Sequence, residues 1–568
     1  MDTAQASAGS RRMPRTAGVL LPGKRARLIT EVFAGVTLAA LSLPLNIGYA
    51  EAAGLPVIVG INAAILPVIA FALFSGSRHL ATGPDATIAA LLAGLLPAVA
   101  AESGELPEEL ALGLAALTGA ILIGLWFVRA GSMVRFISKS VLVGFLAGLG
   151  IEVLTSQVEK IMNIEIDTGE WLTDVAEIIR SIPDASGASL MVGIVTIVIL
   201  RLTSRYTPKL PGPLIALALV GGAVYLLEPG GVAVLGEIPS GLPSLSFPTL
   251  GFWTWVDLFG TATAIAVLTI AEGLLVAGDA ARRHDDRFDP NGELASIGLA
   301  NLAGALSSGM PIGASAARSS AVEAAGSRSQ MPALVSVGIV VIVALYLTDL
   351  VGEIPSAALA GLVANAVVSI IDVRAFRSFA EVRRSEFVIA VGCTIGVLVL
   401  GPIGGLVLAV VATMVDLVRR LAGSPWMTLA PPDSDWEMER FTVADPDAPP
   451  SDLDGVAFVR LSGPLFFANA DTLRERVGTA ASDAVEWLML DFESVVDLDP
   501  TAAEALADSV AVLHERGKIV GITRASVGVR ILLERYGITE VLGPDRIYPS
   551  NRAALAEYLD QCRAASGH

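Results

Sequence analysis

Charge is scarce in this chain. Only 17% of its 568 residues are charged, against 53% apolar ones. Soluble domains run nearer a quarter charged, so a purely soluble globular protein is excluded. Basic residues are also outnumbered, 38 Lys and Arg to 56 Asp and Glu, for a net charge of −18. That balance excludes a nucleic-acid binder and makes nucleic acid an unexpected partner. Two cysteines, Cys393 and Cys562, lie far apart in sequence and give neither a disulfide framework nor a zinc pattern. No GxxxxGK[ST] occurs, so no P-loop draws energy from a nucleotide. No charged-then-apolar leader opens the chain, residues 1–30 being polar and basic, so this stretch is expected to be a cytoplasmic segment.

What the chain does have is long apolar runs, with a mean hydropathy of +0.66. Runs of about 18 or more such residues read as membrane-spanning helices. Fourteen are expected, near 31–50, 56–75, 85–100, 108–128, 138–157, 187–204, 211–228, 256–281, 293–308, 317–327, 331–351, 355–371, 385–400 and 402–422. The third and the tenth look too short to cross alone. Basic residues test this count independently, because they collect on the cytoplasmic side. With the N-terminus inside, the inside segments hold 23 of the 26 Lys and Arg residues that precede residue 424. Among them are Arg11, Arg12, Arg15, Lys24, Arg78, Arg135, Lys209, Arg282, Arg283 and Arg287. Only Lys160 and Arg180 fall in outside loops, and Arg318 falls within the membrane. A multi-pass protein of a bacterial plasma membrane is expected, with both termini cytoplasmic and the lipid bilayer as its surroundings.

Beyond residue 423 the acidity concentrates, with 12 basic and 24 acidic residues. Residues 423–454 read as a Pro/Asp-rich linker (Pro431, Pro432, Pro449, Pro450). Residues 455–568 read as a small α/β domain. Its strands are expected at 456–461, 487–492 and 519–522, and its helices at 469–481, 501–515, 526–536 and 551–562. No catalytic constellation is visible in it, and no enzyme is expected.

Within the membrane part, residues 31–422, two segments stand out. Thr82-Gly-Pro-Asp-Ala-Thr87 opens the third helix, and Met310-Pro-Ile-Gly-Ala-Ser-Ala-Ala-Arg318 opens the tenth. Short Gly/Pro-interrupted helices at matching places in two halves point to a transporter site. A helix N-terminus exposes unpaired N–H groups and about half a positive charge. Two facing N-termini therefore make an anion site with no obligatory cationic side chain. The bland alternative is that Gly and Pro merely permit kinks. Arg318, inside the apolar body, should face a polar cavity, because an isolated Arg at the bilayer centre costs about 2.5–3.5 kcal/mol. It either attracts substrate or pairs structurally with a carboxylate. Glu272, near the middle of the eighth span, is neutral, paired or part of an ion pathway. Asp279, beside Arg282 and Arg283, reads as an ordinary interfacial ion. Asp85 either caps the third helix or lines the site. Tyr49, after the break at Pro44, lines the cavity or packs in the core.

These residues belong to blocks that resemble the SulP (sulfate permease) family, which includes animal anion exchangers. The blocks are Pro44-Leu-Asn-Ile-Gly-Tyr-Ala-Glu-Ala-Ala-Gly-Leu-Pro56, Ser77-Arg-His-Leu-Ala-Thr-Gly-Pro84, Ser138-Lys-Ser-Val-Leu-Val-Gly-Phe-Leu-Ala-Gly148 and Asn291-Gly-Glu-Leu-Ala-Ser-Ile-Gly-Leu-Ala-Asn301, with Gly326-Ser-Arg-Ser-Gln330 beyond Arg318. The tail, with Gly463-Pro-Leu-Phe-Phe-Ala-Asn469 and Leu490-Asp-Phe492, is similar to a STAS domain. The resemblance implies an α-helical polytopic fold of 14 transmembrane segments in a 7+7 inverted repeat. Core and gate domains would alternate access, and a homodimer would form through the STAS domains. It places Tyr49, Asp85, Ala86, Ala317 and Arg318 around a small anion, with Glu272 on the coupling helix. No metal or cofactor is implied. Sodium-coupled relatives tend to carry a hydroxyl one turn after the eighth-helix carboxyl; Val276 stands there in this chain, which leans toward protons.

Secondary active, proton-coupled anion symport is therefore the leading reading. Sulfate is the family default, with bicarbonate and C4-dicarboxylates as rivals. An exchanger or channel-like conductor would not require Glu272 to titrate, and a nucleobase permease of the same fold lacks these blocks. A membrane-anchored signalling protein would need only one or two spans.

Overall fold

The computed structural model describes residues 25–131, 138–164, 166, 171–207, 210–286, 288–423, 426–430, 442–443, 455–543 and 545–566. Arg11, Arg12, Arg15, Lys24, Arg135, Lys209, Arg287 and the four linker prolines lie outside the described residues. The chain forms two compact units, Met1–Val411 and Ala412–His568.

The first unit is helical, as the apolar runs require. Its elements in order begin with α1 (Arg25–Ala52), α2 (Val57–Asn62), α3 (Leu66–Phe74), β1 (Thr82–Gly83), α4 (Ala86–Ser103) and α5 (Pro107–Phe127). They continue with α6 (Lys139–Met162), α7 (Trp171–Arg180), α8 (Gly187–Tyr206), α9 (Gly212–Leu227), α10 (Phe252–His284) and α11 (Pro290–Leu306). Then come β2 (Gly313–Ala314), α12 (Ala316–Ala324), α13 (Met331–Tyr346), α14 (Thr348–Gly352), α15 (Ser356–Val368), α16 (Val373–Val382) and α17 (Arg384–Ala422), which runs on past the boundary at Val411. All fourteen apolar segments are helical over most of their length. Among the described residues, nine helical stretches are long and apolar enough to cross a membrane, while α9 and α13 are shorter apolar helices.

The breaks have local causes. The segment read as 56–75 is two helices, because Pro67 opens α3 and proline favours a first turn over an interior one. The segment read as 331–351 breaks at Leu347, whose backbone leaves the helical region (φ −125°, ψ 16°). In α17, Gly401 adopts φ 76° ahead of Pro402, so the element is two helices joined by a kink. Glycine also allows close packing: a Cβ at Gly144 in α6 would collide with the Ala390 carbonyl of α17. Small residues at such crossings let helix backbones approach in a bilayer, where dispersion rather than water exclusion drives packing.

The second unit is a six-stranded sheet. Its strands are β3 (Met427–Ala430), β4 (Thr442–Val443), β5 (Gly455–Ser462), β6 (Val485–Ser494), β7 (Ile519–Thr523) and β8 (Ile547–Tyr548), with spatial order β4-β3-β5-β6-β7-β8. The pairs from β5 to β8 are parallel, and β3 pairs antiparallel with both β4 and β5. Part of the stretch read as a linker therefore supplies two strands; with no alternating apolar pattern, these short edge strands leave little trace in sequence. Helices α18 (Ala470–Ala480), α19 (Pro500–Glu515), α20 (Val527–Arg535), α21 (Ile538–Leu542) and α22 (Asn551–Ser566) complete the unit. Both faces of β6 are buried, Leu488, Leu490 and Phe492 in one core and Trp487 and Met489 in the other. This is why the strand reads as a continuous apolar run. Asp491, fully buried in that run, is neutralised by Arg460 (2.9 Å) and Arg524 (2.5 Å). Its carboxyl lies below the usual carboxylate range: burial opposes ionisation, but the two guanidinium groups and the Glu493 N–H outweigh it.

Candidate functional site

Two helix starts meet in the first unit. β1 leads into α4 and β2 into α12, and the strands pair antiparallel, Thr82 with Ala314 and Gly83 with Gly313. Antiparallel strands that each run into a helix send the helices in opposite directions and leave their N-termini side by side. The Ser315 N–H donates across to the Ala81 carbonyl at 3.0 Å. Asp85 caps α4 by accepting from the Thr87 N–H at 3.2 Å, and Ser315 caps α12 by accepting from the Arg318 N–H at 3.5 Å. These caps explain why both helices start where they do. The two positive helix ends are thereby held together.

Arg318 lies beneath this junction and is 1% exposed. Its Nη2 donates to Asn46 Oδ1 (2.9 Å) on α1 and to the Pro84 carbonyl (2.5 Å). Its Nε and Nη1 have no hydrogen-bond partner among the described residues. The buried hydroxyls of Thr82 and Thr269 are likewise unpaired. Buried polar groups are rarely left so, because each forfeits its hydration without compensation. Here donors and hydroxyls cluster around the pair of helix ends. Thr269 faces β2, since a Cβ on Gly313 would stand 3.8 Å from its hydroxyl oxygen.

The other residues singled out by sequence gather at the same place. Tyr49, 5% exposed, sits within electrostatic reach of Asp85 and Arg318. Asp85 also interacts with the Arg318 charge. Glu272, on α10, faces the Asp85 carboxyl and the Thr87 hydroxyl. Ala86 is buried in the first turn of α4, whereas Ala317 is exposed in the first turn of α12. Asp279 pairs with Arg282 one turn along α10. Asn46, Thr82, Thr87, Thr269 and Ser315 were not individually legible. Four of the five stand inside or beside the quoted motifs, and Thr269 lies one turn before Glu272, the signal that could have found it.

Gly83 fixes the geometry. Any Cβ there would overlap Arg318 Nη1. The G83A substitution is expected to displace the guanidinium and lower anion affinity about tenfold or more. Anion titration alongside thermal unfolding checks this, and wild-type affinity would refute the close-packing role.

A separate cavity of about 730 Å³ lies between Leu43 and Pro44 of α1, Leu214 of α9 and Val343 of α13. It is walled mostly by apolar side chains, and its charged lining residues are Asp349 and Glu353. Those carboxylates repel an anion, so the volume belongs to no part of the site above.

A helical membrane unit with two paired half-helix starts, joined to a small α/β domain, fits a membrane transporter. Residues 28–393 match the sulfate permease family and residues 451–554 match the STAS domain. The chain belongs to the sulfate permease family. It is 32% identical over 534 residues to a protein named a probable sulfate transporter from Mycobacterium tuberculosis (strain H37Rv), covering 93% of this chain and 95% of that one. It is 26% identical over 536 residues to the chloroplastic sulfate transporter 4.1 of Arabidopsis thaliana, covering 91% and 78%. Its fold is that of the murine Solute Carrier 26 family member A9 anion transporter in the inward-facing state (TM-score 0.83, 22% identity, 94% of this chain and 92% of that one). The transmembrane domain of a cyanobacterial bicarbonate transporter also superposes (TM-score 0.61, 22% identity, 68% and 98%).

Proposed function

We propose that the junction of α4 and α12 binds a small oxyanion, sulfate ahead of bicarbonate and C4-dicarboxylates, and carries it across the membrane together with protons. The observation that carries this reading is Arg318: a guanidinium 1% exposed, with two unpaired nitrogens, between two helix N-termini. A buried cation with spare donors favours an anion with several acceptor oxygens, and planar forks suit oxyanions. Relatives named as sulfate transporters support sulfate.

Coupling follows from energetics. A divalent anion entering against about 100 mV, inside negative, costs roughly 4.6 kcal/mol, at about 2.3 per charge. Two co-transported protons cancel that electrical cost. Glu272 supplies a carboxyl beside Asp85 and Thr87, where its charge state bears on anion binding. Alternating access would move a core bearing the junction against a gate, in a 7+7 arrangement of fourteen spans. The proposed orientation puts both termini and the STAS domain in the cytoplasm, with a homodimer formed through that domain.

Anion titration of the purified protein tests the substrate assignment. A ligand at about 100 times its Kd stabilises the folded state by about 2.7 kcal/mol. Sulfate is expected to raise the unfolding temperature more than bicarbonate or fumarate. Identical unfolding with and without every one of these anions would contradict the assignment.

A further inference from the structure

The three elements that build the anion junction are also stitched together at one end by a pair of histidines. His79 lies in the segment between α3 and β1, three residues before Thr82. His284 is the last residue of α10, the helix that carries Glu272. Their rings stack, with centroids 4.2 Å apart and an interplanar angle of 20°. His284 Nε2 meets Glu323 Oε1 at 2.9 Å, and Glu323 lies on α12, five residues beyond Arg318. His79 Nε2 faces Asp286 Oδ2 at 3.5 Å. Arg283 donates to both oxygens of Glu323 (3.1 and 2.9 Å), and Arg78 pairs with Asp286 at 3.3 Å.

Arg78 and Arg283 offset Asp286 and Glu323, and the uncharged Gln330 holds the loop by donating to the Ser77 and Leu80 carbonyls. Each ring turns its Nε2 toward a carboxylate, which favours a proton on that nitrogen. His79 is 3% exposed and its Nδ1 is buried without a partner among the described residues. A second proton on this ring has nothing to receive it, and it adds a like charge against a stacked neighbour. Burial, then the His284 ring, lower the His79 pKa below the ordinary imidazole value, against the pull of Asp286 and Glu323. The sign follows. A base held below its unfolded pKa stabilises its packed form above that value, about 6.5, and loses the stabilisation as pH falls through the folded pKa.

We propose that the His79–His284 stack is a proton-binding site that senses acidity on the face carrying Arg78 and Arg283 and, when doubly protonated, releases the 75–81 segment from α10 and α12. Ala81 joins this segment to the junction, its N–H donating to Ser319 Oγ at 2.9 Å and its carbonyl accepting from Ser315. Release there loosens β1 against β2 and slows transport. This last link rests on the reading of the junction as the anion site.

Hydrogen exchange of residues 75–81 in the full-length, anion-free protein tests the switch without requiring transport. Between pH about 7.5 and about 5.5, after correction for intrinsic rates, exchange is expected to rise about tenfold in the wild type. It is expected to stay flat in His79→Phe, which keeps a stacking ring, and in His284→Gln. Sulfate uptake by proteoliposomes, with the pH of each face set separately, is expected to fall about fivefold on acidifying this face. Both variants should abolish that fall. Unchanged exchange in the wild type, or an equal rise in both variants, overturns the switch. An acid-induced fall in uptake that persists in both variants overturns its link to transport. Absence of uptake at every pH contradicts the anion-site reading, and the exchange result still decides the switch.

Discussion

Replacing Arg318 by alanine is expected to lower anion affinity about 10- to 150-fold, the equivalent of about 1.5–3 kcal/mol for a lost charge-assisted hydrogen bond. The side chain is buried, leaves Nε and Nη1 without a partner among the described residues and spends Nη2 on Asn46 and the Pro84 carbonyl. Removing it deletes a full positive charge near two helix ends and frees the turn that precedes α4. Lysine retains the charge but loses the planar fork, so Arg318→Lys should fall between wild type and alanine. The measurement is sulfate affinity by calorimetry, with thermal unfolding as the control for folding. Unaltered affinity in a folded R318A protein would remove Arg318 from the binding site.

Glu272→Gln is expected to separate binding from accumulation. Glutamine keeps the shape and much of the hydrogen bonding toward Thr87 but cannot carry a titrating proton. Sulfate affinity should stay within about threefold of wild type, whereas uptake driven by an inward proton gradient should fall to the level the membrane potential allows. The comparison is affinity and proton-driven accumulation on the same preparations. Wild-type accumulation by E272Q would exclude this carboxyl from coupling.

The membrane architecture was legible because its cause is compositional. Apolar runs too long and too poor in charge for water must be helices in lipid, and even the join at Gly401-Pro402 showed as a boundary. The half-helix starts were legible through Thr82–Thr87 and Met310–Arg318, where glycine and proline interrupt otherwise apolar sequence. Less visible was what those breaks build. Two residues apiece, Thr82–Gly83 and Gly313–Ala314, form a cross-strand pair 230 residues apart, and no periodicity survives in a strand of two. The partners of Arg318 were hidden for a related reason. Asn46 and the Pro84 carbonyl meet it only through tertiary packing, and a backbone acceptor leaves no mark on residue type. In the STAS domain, β5, β6 and β7 were readable as buried runs. The edge strands β3 and β4 lay inside a stretch whose prolines and aspartates argued for a linker.

Uptake of radiolabelled sulfate into proteoliposomes containing the purified protein tests whether it is a proton-coupled symporter. An inward proton gradient, an inward sodium gradient and no gradient are compared at matched membrane potential. Concentrative uptake is expected under the proton gradient alone. Accumulation driven by sodium, or gradient-independent equilibration accelerated by anion inside the vesicles, would contradict proton-coupled symport and leave Glu272 without its assigned role.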